Sequence, residues 1–436
     1  MKKIDDRTWY EKKSGKNFTK KNSPKKNQAK IPQKNQTKKT FPAKKIVQAK
    51  SQNFFAKEEN YIFDISSLEQ NARAVLADFS EIVSQNYPLS SKHRVLLLNE
   101  IRALSHELTD ERDARHLGYM NKTSALTAYI HYFEWWNLIR LTRIFSNLPN
   151  DFFDFAEEDF CADFGSGPLT VPIALFLARP ELRAKKLRWY CVDISNQALT
   201  AGENIFFSVA ARLECEPWKI IRVKGELGIE LKEKVAFVSA ANVFNEIVQN
   251  QTMPPDFLAK KYASTLLSYA KENASIFLAE PGVPHTARFL SCLRDAFLRK
   301  NFYPLSPCPH CATCPMEGKR GGKWCNFSFL TLDSPEKLLE LSKAADLPKE
   351  RAVVSFLAMK NTKLPKAEES EIKARVVSDL ILLPNHKEGF YACSKKGLLL
   401  LITKTPLRSG ELISFPEQKG DAEFDKKSGA LIVHLD

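Results

Sequence analysis

The sequence predicts an α/β fold, a parallel sheet with helices packed on both faces, and two observations carry that prediction. From about residue 158 five short apolar runs, "FCADFG", "LRWYCVDIS", "WKIIRVKGE", "KVAFVSAANVF" and "ASIFLAEPG", alternate with helical segments. Buried β runs separated by helices indicate a parallel sheet rather than a meander. The first run leads into "DFGSGPLTVP" (163 to 172), where two glycines close a strand and open a helix. That is where such a sheet binds a nucleotide-like ligand.

The elements follow in order. Residues 1 to 50 hold 17 Lys or Arg and 3 Asp or Glu, a net charge of +14, which leaves 48 of each sign in the remaining 386 residues of the 436-residue chain. All the excess charge therefore sits in a Lys, Asn, Gln and Pro tail without hydrophobic period, which cannot bury enough apolar surface to offset its ordering entropy. Residues 1–55 are expected to be disordered when free, with lysines spaced to neutralise RNA phosphates; the plain alternative is a solubilising tail. Residues 56–150 read as helical, with apolar residues at three- and four-residue spacing and Ser90 or Ser91 as an N-cap. The run Tyr129, Tyr132, Phe133, Trp135, Trp136 has helical spacing, which favours core or a domain interface over a base-stacking platform.

Residues 151–300 carry the alternating pattern, 301–335 a cysteine-rich loop, and 336–436 the helical stretch "SPEKLLELSKAA" followed by the strand-like runs "RAVVSFLAM", "ARVVSDLILLP", "EGFYACS", "GLLLLITK" and "GALIVHLD". This last part is expected to be a β-rich C-terminal region. Apolar stretches such as "LTVPIALFLA" fall short of the roughly 18 residues that a membrane helix needs. The N-terminal lysines are followed by no apolar core of a signal sequence and lack the look of a transit peptide. A bacterial cytoplasmic location is expected.

Gly165 and Gly167 allow a tight turn and close backbone approach, but a dinucleotide fingerprint wants a third glycine where this chain has Thr170. Two glycines after an acidic strand end match instead the pattern of S-adenosylmethionine (SAM) methyltransferases, whose ligand has no pyrophosphate. Asp193, at the tip of the second strand, is positioned to accept both ribose hydroxyls. The expected cofactor-contacting set is Asp163, Gly165, Gly167 and Asp193. No Asn-Pro-Pro-Tyr-like loop and no nucleophilic cysteine is evident; Asn242, Asn245 and Glu246 of "ANVFNEI" are the polar residues near the fourth strand's end, and catalytic residues stay unassigned.

Of nine cysteines, Cys161, Cys191, Cys215 and Cys292 lie mostly in apolar contexts that suit an inert buried thiol. Cys308, Cys311, Cys314 and Cys325 crowd one Pro- and Gly-rich loop, "SPCPHCATCPMEGKRGGKWCNF". Without secretory context disulfides are disfavoured, and clustered thiolates select zinc or an iron–sulfur cluster. A second C-x2-C pair, as a zinc site uses, is missing. The C-x2-C-x2-C run with prolines looks more like cluster chemistry.

In order along the chain, "DFGSGPLTVP", "ANVFNEI", "LAEPGVPHTARFLSCLRDAF", "CPHCATCPMEGKRGGKWCNFSF" and "NHKEGFYACSKKG" resemble the methyltransferase-like assembly factors of the mitochondrial small ribosomal subunit and their bacterial relatives. The resemblance implies a SAM-methyltransferase-like (Rossmann-type) sheet and a 4Fe-4S cluster held by Cys308, Cys314, Cys325 and distant Cys393, with Cys311 as the extra thiol. It also implies binding to the small subunit and its rRNA; the sequence leaves the oligomeric state unassigned, with a monomer as the expectation. Three functions follow from it: an rRNA-binding assembly or translation factor with a SAM fold and a structural cluster, an active SAM-dependent rRNA methyltransferase, or a zinc-stabilised RNA-binding module whose SAM pocket is vestigial.

Overall fold

The computed structural model describes residues 57–109, 118–248, 251–318, 322–362, 371–417 and 422–435. The basic tail expected over residues 1–55 lies outside the described residues.

The chain enters through strand β1 (Lys57–Tyr61) and continues into α1 (Gln70–Ala77), α2 (Phe79–Asn86), α3 (Ser91–Thr109), α4 (Thr123–Ala128), a π-helical turn over Tyr129–Phe133, and α5 (Glu134–Asn147). Ser90 caps α3, its hydroxyl accepting the His93 N–H at 3.3 Å, and so satisfies one of the donors that a helix start leaves open. The first residues of the expected helical region are a strand instead: β1 pairs antiparallel with residues 411–414 of the far C-terminus. A partner more than 300 residues away leaves no trace in local periodicity. In the aromatic run Tyr132, Trp135 and Trp136 are buried, as helical spacing predicted. Each indole finds an acceptor, Trp135 in the Leu76 carbonyl at 2.8 Å and Trp136 in the Ser342 hydroxyl at 3.1 Å.

The α/β part runs β2 (Phe160–Phe164), α6 (Thr170–Ala178), α7 (Pro180–Arg183), β3 (Arg188–Asp193), α8 (Asn196–Arg212), β4 (Lys219–Lys224), β5 (Val235–Ala241), α9 (Phe244–Ile247), α10 (Pro255–Tyr269), β6 (Ala270–Glu280), α11 (Pro284–Leu298), β7 (Tyr303–Ser306), β8 (Phe327–Leu330), α12 (Glu336–Ala344) and β9 (Arg351–Lys360). The sheet order is β4-β3-β2-β5-β6-β9-β7, with β8 also on β9. β2 to β6 are mutually parallel, while β9 runs antiparallel to β6 and β7. This is the parallel α/β sheet that the five alternating runs predicted. The strand-like run "RAVVSFLAM", read as part of the β-rich C-terminal region, is β9 and sits in the main sheet between β6 and β7. A run buried on both faces fits a central strand, but its composition does not name its neighbours.

Alternate side chains divide between two cores because successive strand residues face opposite ways. Phe237 and Phe277 pack with Phe145, Leu175 and Phe206 on one face; Val238, Ile276 and Leu278 pack with Leu266 and Leu293 on the other.

The rest forms a second sheet from β1, β10 (Glu371–Val376), β11 (Ile381–Leu382), β12 (Glu388–Ser394), β13 (Gly397–Ile402), β14 (Glu411–Pro416) and β15 (Leu431–His434), in the order β1-β14-β10-β12-β13-β15 with β11 on β12. Its own apolar face includes Ile372, Leu399, Leu401, Ile413, Phe415 and Val433. No helix among the described residues is long and apolar enough to cross a membrane.

Candidate functional site

Strand order reverses between β2 and β5, since β3 and β4 extend the sheet one way from β2 while β5 and β6 extend it the other. Open α/β sheets bind ligands outside the carboxyl ends of the strands at such a point. All five parallel strands contribute here: Gly165 after β2, Asp193 ending β3, Gly225 after β4, Asn242 after β5 and Glu280 ending β6 line one cavity of about 730 Å³.

The glycine loop is shaped by close approaches that only glycine permits. Gly165 and Gly167 take left-handed backbone at φ 66° and 52°, and a Cβ on Gly165 would stand 2.4 Å from the Val243 side chain. Asp193 then fixes the loop to β3. Its Oδ2 accepts the Gly167 N–H at 2.9 Å and its Oδ1 the Ser195 N–H at 2.8 Å. Burial raises the Asp193 pKa while these amides pull it down. Of the four expected residues, Gly165 and Asp193 are on the cavity wall. Gly167 acts from behind through its amide. Asp163 is buried away from the wall, accepting the Ser239 hydroxyl at 2.7 Å, and burial pushes its pKa up to about 7.

Asn242, Asn245 and Glu246 all line the cavity. The turn that carries them hangs on a residue to which sequence reasoning gave no role: the buried Glu280 carboxylate accepts the backbone N–H of Val243, Phe244 and Asn245 at 3.1, 2.8 and 3.1 Å. Burial pushes Glu280 up to about 8 against those three donors. The available signal was a carboxylate ending an otherwise apolar strand. Gly202 was missed too. It lies in α8 where a Cβ would fall 2.2 Å from the Pro168 carbonyl carbon, so helix and glycine loop touch backbone to backbone.

The cysteine loop joins β7 to β8 at the outer edge of the same sheet. Cys308, Cys314, Cys325 and Cys393 line a single recess, while Cys311 is not on its wall. Cys393 comes from β12, opposite Arg375 in the β10–β12 register. Two guanidinium groups back the recess. Arg294 donates to the carbonyls of His310 and Ala312 at 2.7 and 2.9 Å, and Arg375 to those of Pro307 and Gly410 at 3.0 and 2.9 Å. The His310 Nε2 lies 3.2 Å from the Cys393 sulfur. Burial pushes the Cys308 thiol up to about 11, opposed by Arg294, and also raises Cys325 and Cys393. Among the described residues Arg294 Nε and His310 Nδ1 have no hydrogen-bond partner. Among the described residues, too, no group of three or more His, Cys, Asp or Glu is arranged to hold a metal ion. Trp324, next to Cys325, donates to the Gly282 carbonyl at 3.1 Å and so joins the cysteine loop to the wall of the large cavity.

Comparison with known proteins gives one family. No curated protein matches. Among solved structures, a putative RNA methyltransferase from Pyrococcus horikoshii is 12% identical over 51% of this chain and 82% of its own, with a TM-score of 0.28. A putative class I SAM-dependent methyltransferase from Listeria monocytogenes is 13% identical over 68% and 90%, with a TM-score of 0.30. An RNA methyltransferase from Salinibacter ruber in complex with S-adenosyl-L-homocysteine is 13% identical over 29% and 67%, with a TM-score of 0.20. The family model described as "Mitochondrial small ribosomal subunit Rsm22" matches residues 123–417, from α4 through β14, and thus spans both the strand-end cavity and the cysteine recess. The chain belongs to the Rsm22 family of the mitochondrial small ribosomal subunit.

Proposed function

We propose that this chain is a small-subunit assembly or translation factor that binds rRNA, carries SAM in the strand-end cavity and holds a structural 4Fe-4S cluster in the cysteine recess. The observation that carries the reading is the convergence of all five parallel strand ends on one cavity in a chain of this family. Asp193 has lone pairs left beyond the two amides it holds and would accept the ribose hydroxyls; the missing side chain at Gly165 would let the cofactor approach the backbone. SAM supplies an electrophilic methyl group when bound. Asn242, Asn245 and Glu246, on the turn whose backbone Glu280 holds at Val243, Phe244 and Asn245, would face the acceptor.

The donor set of the recess suits an iron–sulfur cluster: four thiols, no carboxylate, an apolar surround from Met316, Phe327 and Val377, and two arginines that offset negative charge. With Cys308, Cys314 and Cys325 on one loop and Cys393 on β12, a cluster would crosslink the two sheets and couple metal binding to folding. Zinc on the same thiols is the lesser alternative. The protein is read as a bacterial cytoplasmic monomer whose basic tail adds non-specific RNA affinity.

A second reading, an active rRNA methyltransferase, is favoured by the extent of the cavity, which continues past Asn242 to Glu246 into the N-terminal helices. Incubation with labelled SAM and stripped small subunits separates the two. SAM binding without label in rRNA supports the assembly factor, label in rRNA supports the enzyme, and failure to bind either SAM or small subunits overturns both. Iron, sulfide and zinc analysis after anaerobic purification tests the cluster, and stoichiometric zinc without sulfide would sink that assignment.

A further inference from the structure

The large cavity has a second wall that the methyltransferase-like sheet does not supply. Tyr129, Phe133, Asn137 and Arg140 follow one another at helical spacing along the π turn and α5, and all line it; Lys349, just before β9, lines it as well. The Tyr129 and Phe133 rings are near parallel, at 24° with centroids 6.1 Å apart. Arg140 donates Nη1 to the Asn137 side chain at 3.0 Å, while its Nε has no partner among the described residues. The Lys349 ammonium lies 5.9 Å from the Trp136 ring centroid. Neither cation pairs with a carboxylate among the described residues, although the chain pairs other cations readily, as in the buried Arg143 with Asp333 and the half-buried Arg222 with Glu203. Arg351 on the same wall is already committed to Asp379 at 2.6 Å.

Two unpaired cations facing one cavity are costly in isolation. Desolvation pulls Arg140 down to about 10 and Lys349 down to about 8, with the Arg140 charge adding to the latter. An anion between them would relieve both penalties. The aromatic surfaces beside them narrow the anion to one attached to a flat ring, because unstacked bases are held on aromatic side chains while their phosphates take arginine and lysine.

Resting on the reading of the strand-end cavity as a SAM pocket, we propose that Arg140, Lys349, Tyr129 and Phe133 form an adjoining subsite for one nucleotide, with its phosphoryl group on the two cations and its base against the two rings. The phosphoryl group is that of an RNA phosphodiester or of a free mononucleotide. The wall belongs to elements outside the parallel sheet, so nucleotide occupancy and cofactor occupancy use separate residues of one cavity.

The test titrates the full-length protein by calorimetry with the four nucleoside 5′-monophosphates, the matching nucleosides, single-stranded RNA pentamers, a glutamate-rich peptide and, separately, S-adenosylhomocysteine, at about 0.3 M salt to suppress phosphate binding by the tail. The variants are Arg140→Gln, Lys349→Gln and, as an exposed control, Lys337→Gln. Monophosphates should bind about tenfold or more tighter than nucleosides, and each of the first two variants should bind them about tenfold more weakly, with Lys337→Gln and S-adenosylhomocysteine affinity unchanged. Preference for the pentamer over the monophosphates identifies RNA as the source, and the reverse identifies a free nucleotide. Nucleotide binding that depends on Arg140 and Lys349 without S-adenosylhomocysteine binding upholds the subsite while removing the SAM reading. S-adenosylhomocysteine binding with no nucleotide binding, equal affinity in the variants, or preference for the acidic peptide overturns the subsite.

Discussion

The carboxylate of Asp193 holds the backbone amide of Gly167 at 2.9 Å. One side chain thus shapes the glycine loop of one strand from the tip of the next, and its other oxygen fixes Ser195 at the start of α8. Asp193→Ala leaves two amides without acceptors, a loss of about 1 to 3 kcal/mol for each donor that stays buried. The variant should unfold at lower denaturant concentration and bind S-adenosylhomocysteine at least about tenfold more weakly. Asp193→Asn should fold better than the alanine variant, since one amide oxygen still accepts, but should recover little affinity. Wild-type affinity in Asp193→Ala would remove this residue from the cofactor site.

Gly202 makes a sharper test of the same loop. A methyl group there would stand 2.2 Å from the carbonyl carbon of Pro168, a backbone clash that no rotamer change relieves. Gly202→Ala gains helix propensity in the middle of α8, worth about 1 kcal/mol, yet should still be destabilised by about 1 to 3 kcal/mol from overpacking. Chemical denaturation gives the sign, and weaker S-adenosylhomocysteine binding reports the displaced loop. A stabilised variant would mean that the helix and loop separate freely.

These two residues mark what was legible in the sequence and what was not. Asp193 stood out because it is the carboxylate at the tip of the second strand, next after the strand that leads into the two-glycine loop. Gly202 looks like any helix residue, since the need for it comes from Pro168, 34 positions earlier, which packs against it only in the folded chain. The same distinction separates the five parallel strands from β9 and β1. Alternation and apolar runs specify that a segment is a strand, whereas its partner is set by non-local packing, so "RAVVSFLAM" reads as a strand in the sequence while its place beside β6 and β7 does not show there. Cys393 became a candidate only through resemblance, because it lies 68 positions after Cys325 and no spacing rule spans such an interval.

For the cysteines the discriminating pair is Cys393→Ser and Cys311→Ser. Cys393 shares the recess with Cys308, Cys314 and Cys325, whereas Cys311 does not line it. Cys393→Ser should lower the iron and sulfide content of anaerobically purified protein and reduce the midpoint of thermal unfolding, because the proposed cluster would tie the two sheets together through Cys393. Cys311→Ser should leave both close to wild type. The reverse result would restore a ligand set contained wholly within the loop.

His131 supplies a pH dependence with a definite sign. It is buried in the π turn with Nε2 unpartnered among the described residues, and burial lowers its pKa to about 4, against the opposing effect of the Tyr87 backbone. A histidine depressed in the folded state contributes stability that is fully present above its unfolded value near 6.5 and is lost as pH falls toward 4. The shift corresponds to on the order of 3 kcal/mol. Denaturant titrations between about pH 4 and pH 7 should give a steeper acid loss in wild type than in His131→Gln, whose side chain carries no ionisable proton. Parallel curves would mean that His131 is protonated without cost.

The tail gives the last prediction. Residues 1 to 50 carry a net +14 and the rest of the chain is neutral, so removing them should act on RNA affinity through counterion release alone. The truncated protein should bind stripped small-subunit rRNA more weakly at low salt, and the slope of log affinity against log salt should flatten by about 0.7 to 0.9 for each phosphate that the tail no longer neutralises. S-adenosylhomocysteine affinity and iron content should not change, since among the described residues the cavity and the cysteine recess draw their walls from positions beyond 100. Because the electrostatic contribution fades with salt, the two proteins should converge in RNA affinity as ionic strength rises. An unchanged salt slope would make the tail a solubilising segment and move RNA recognition onto the folded part.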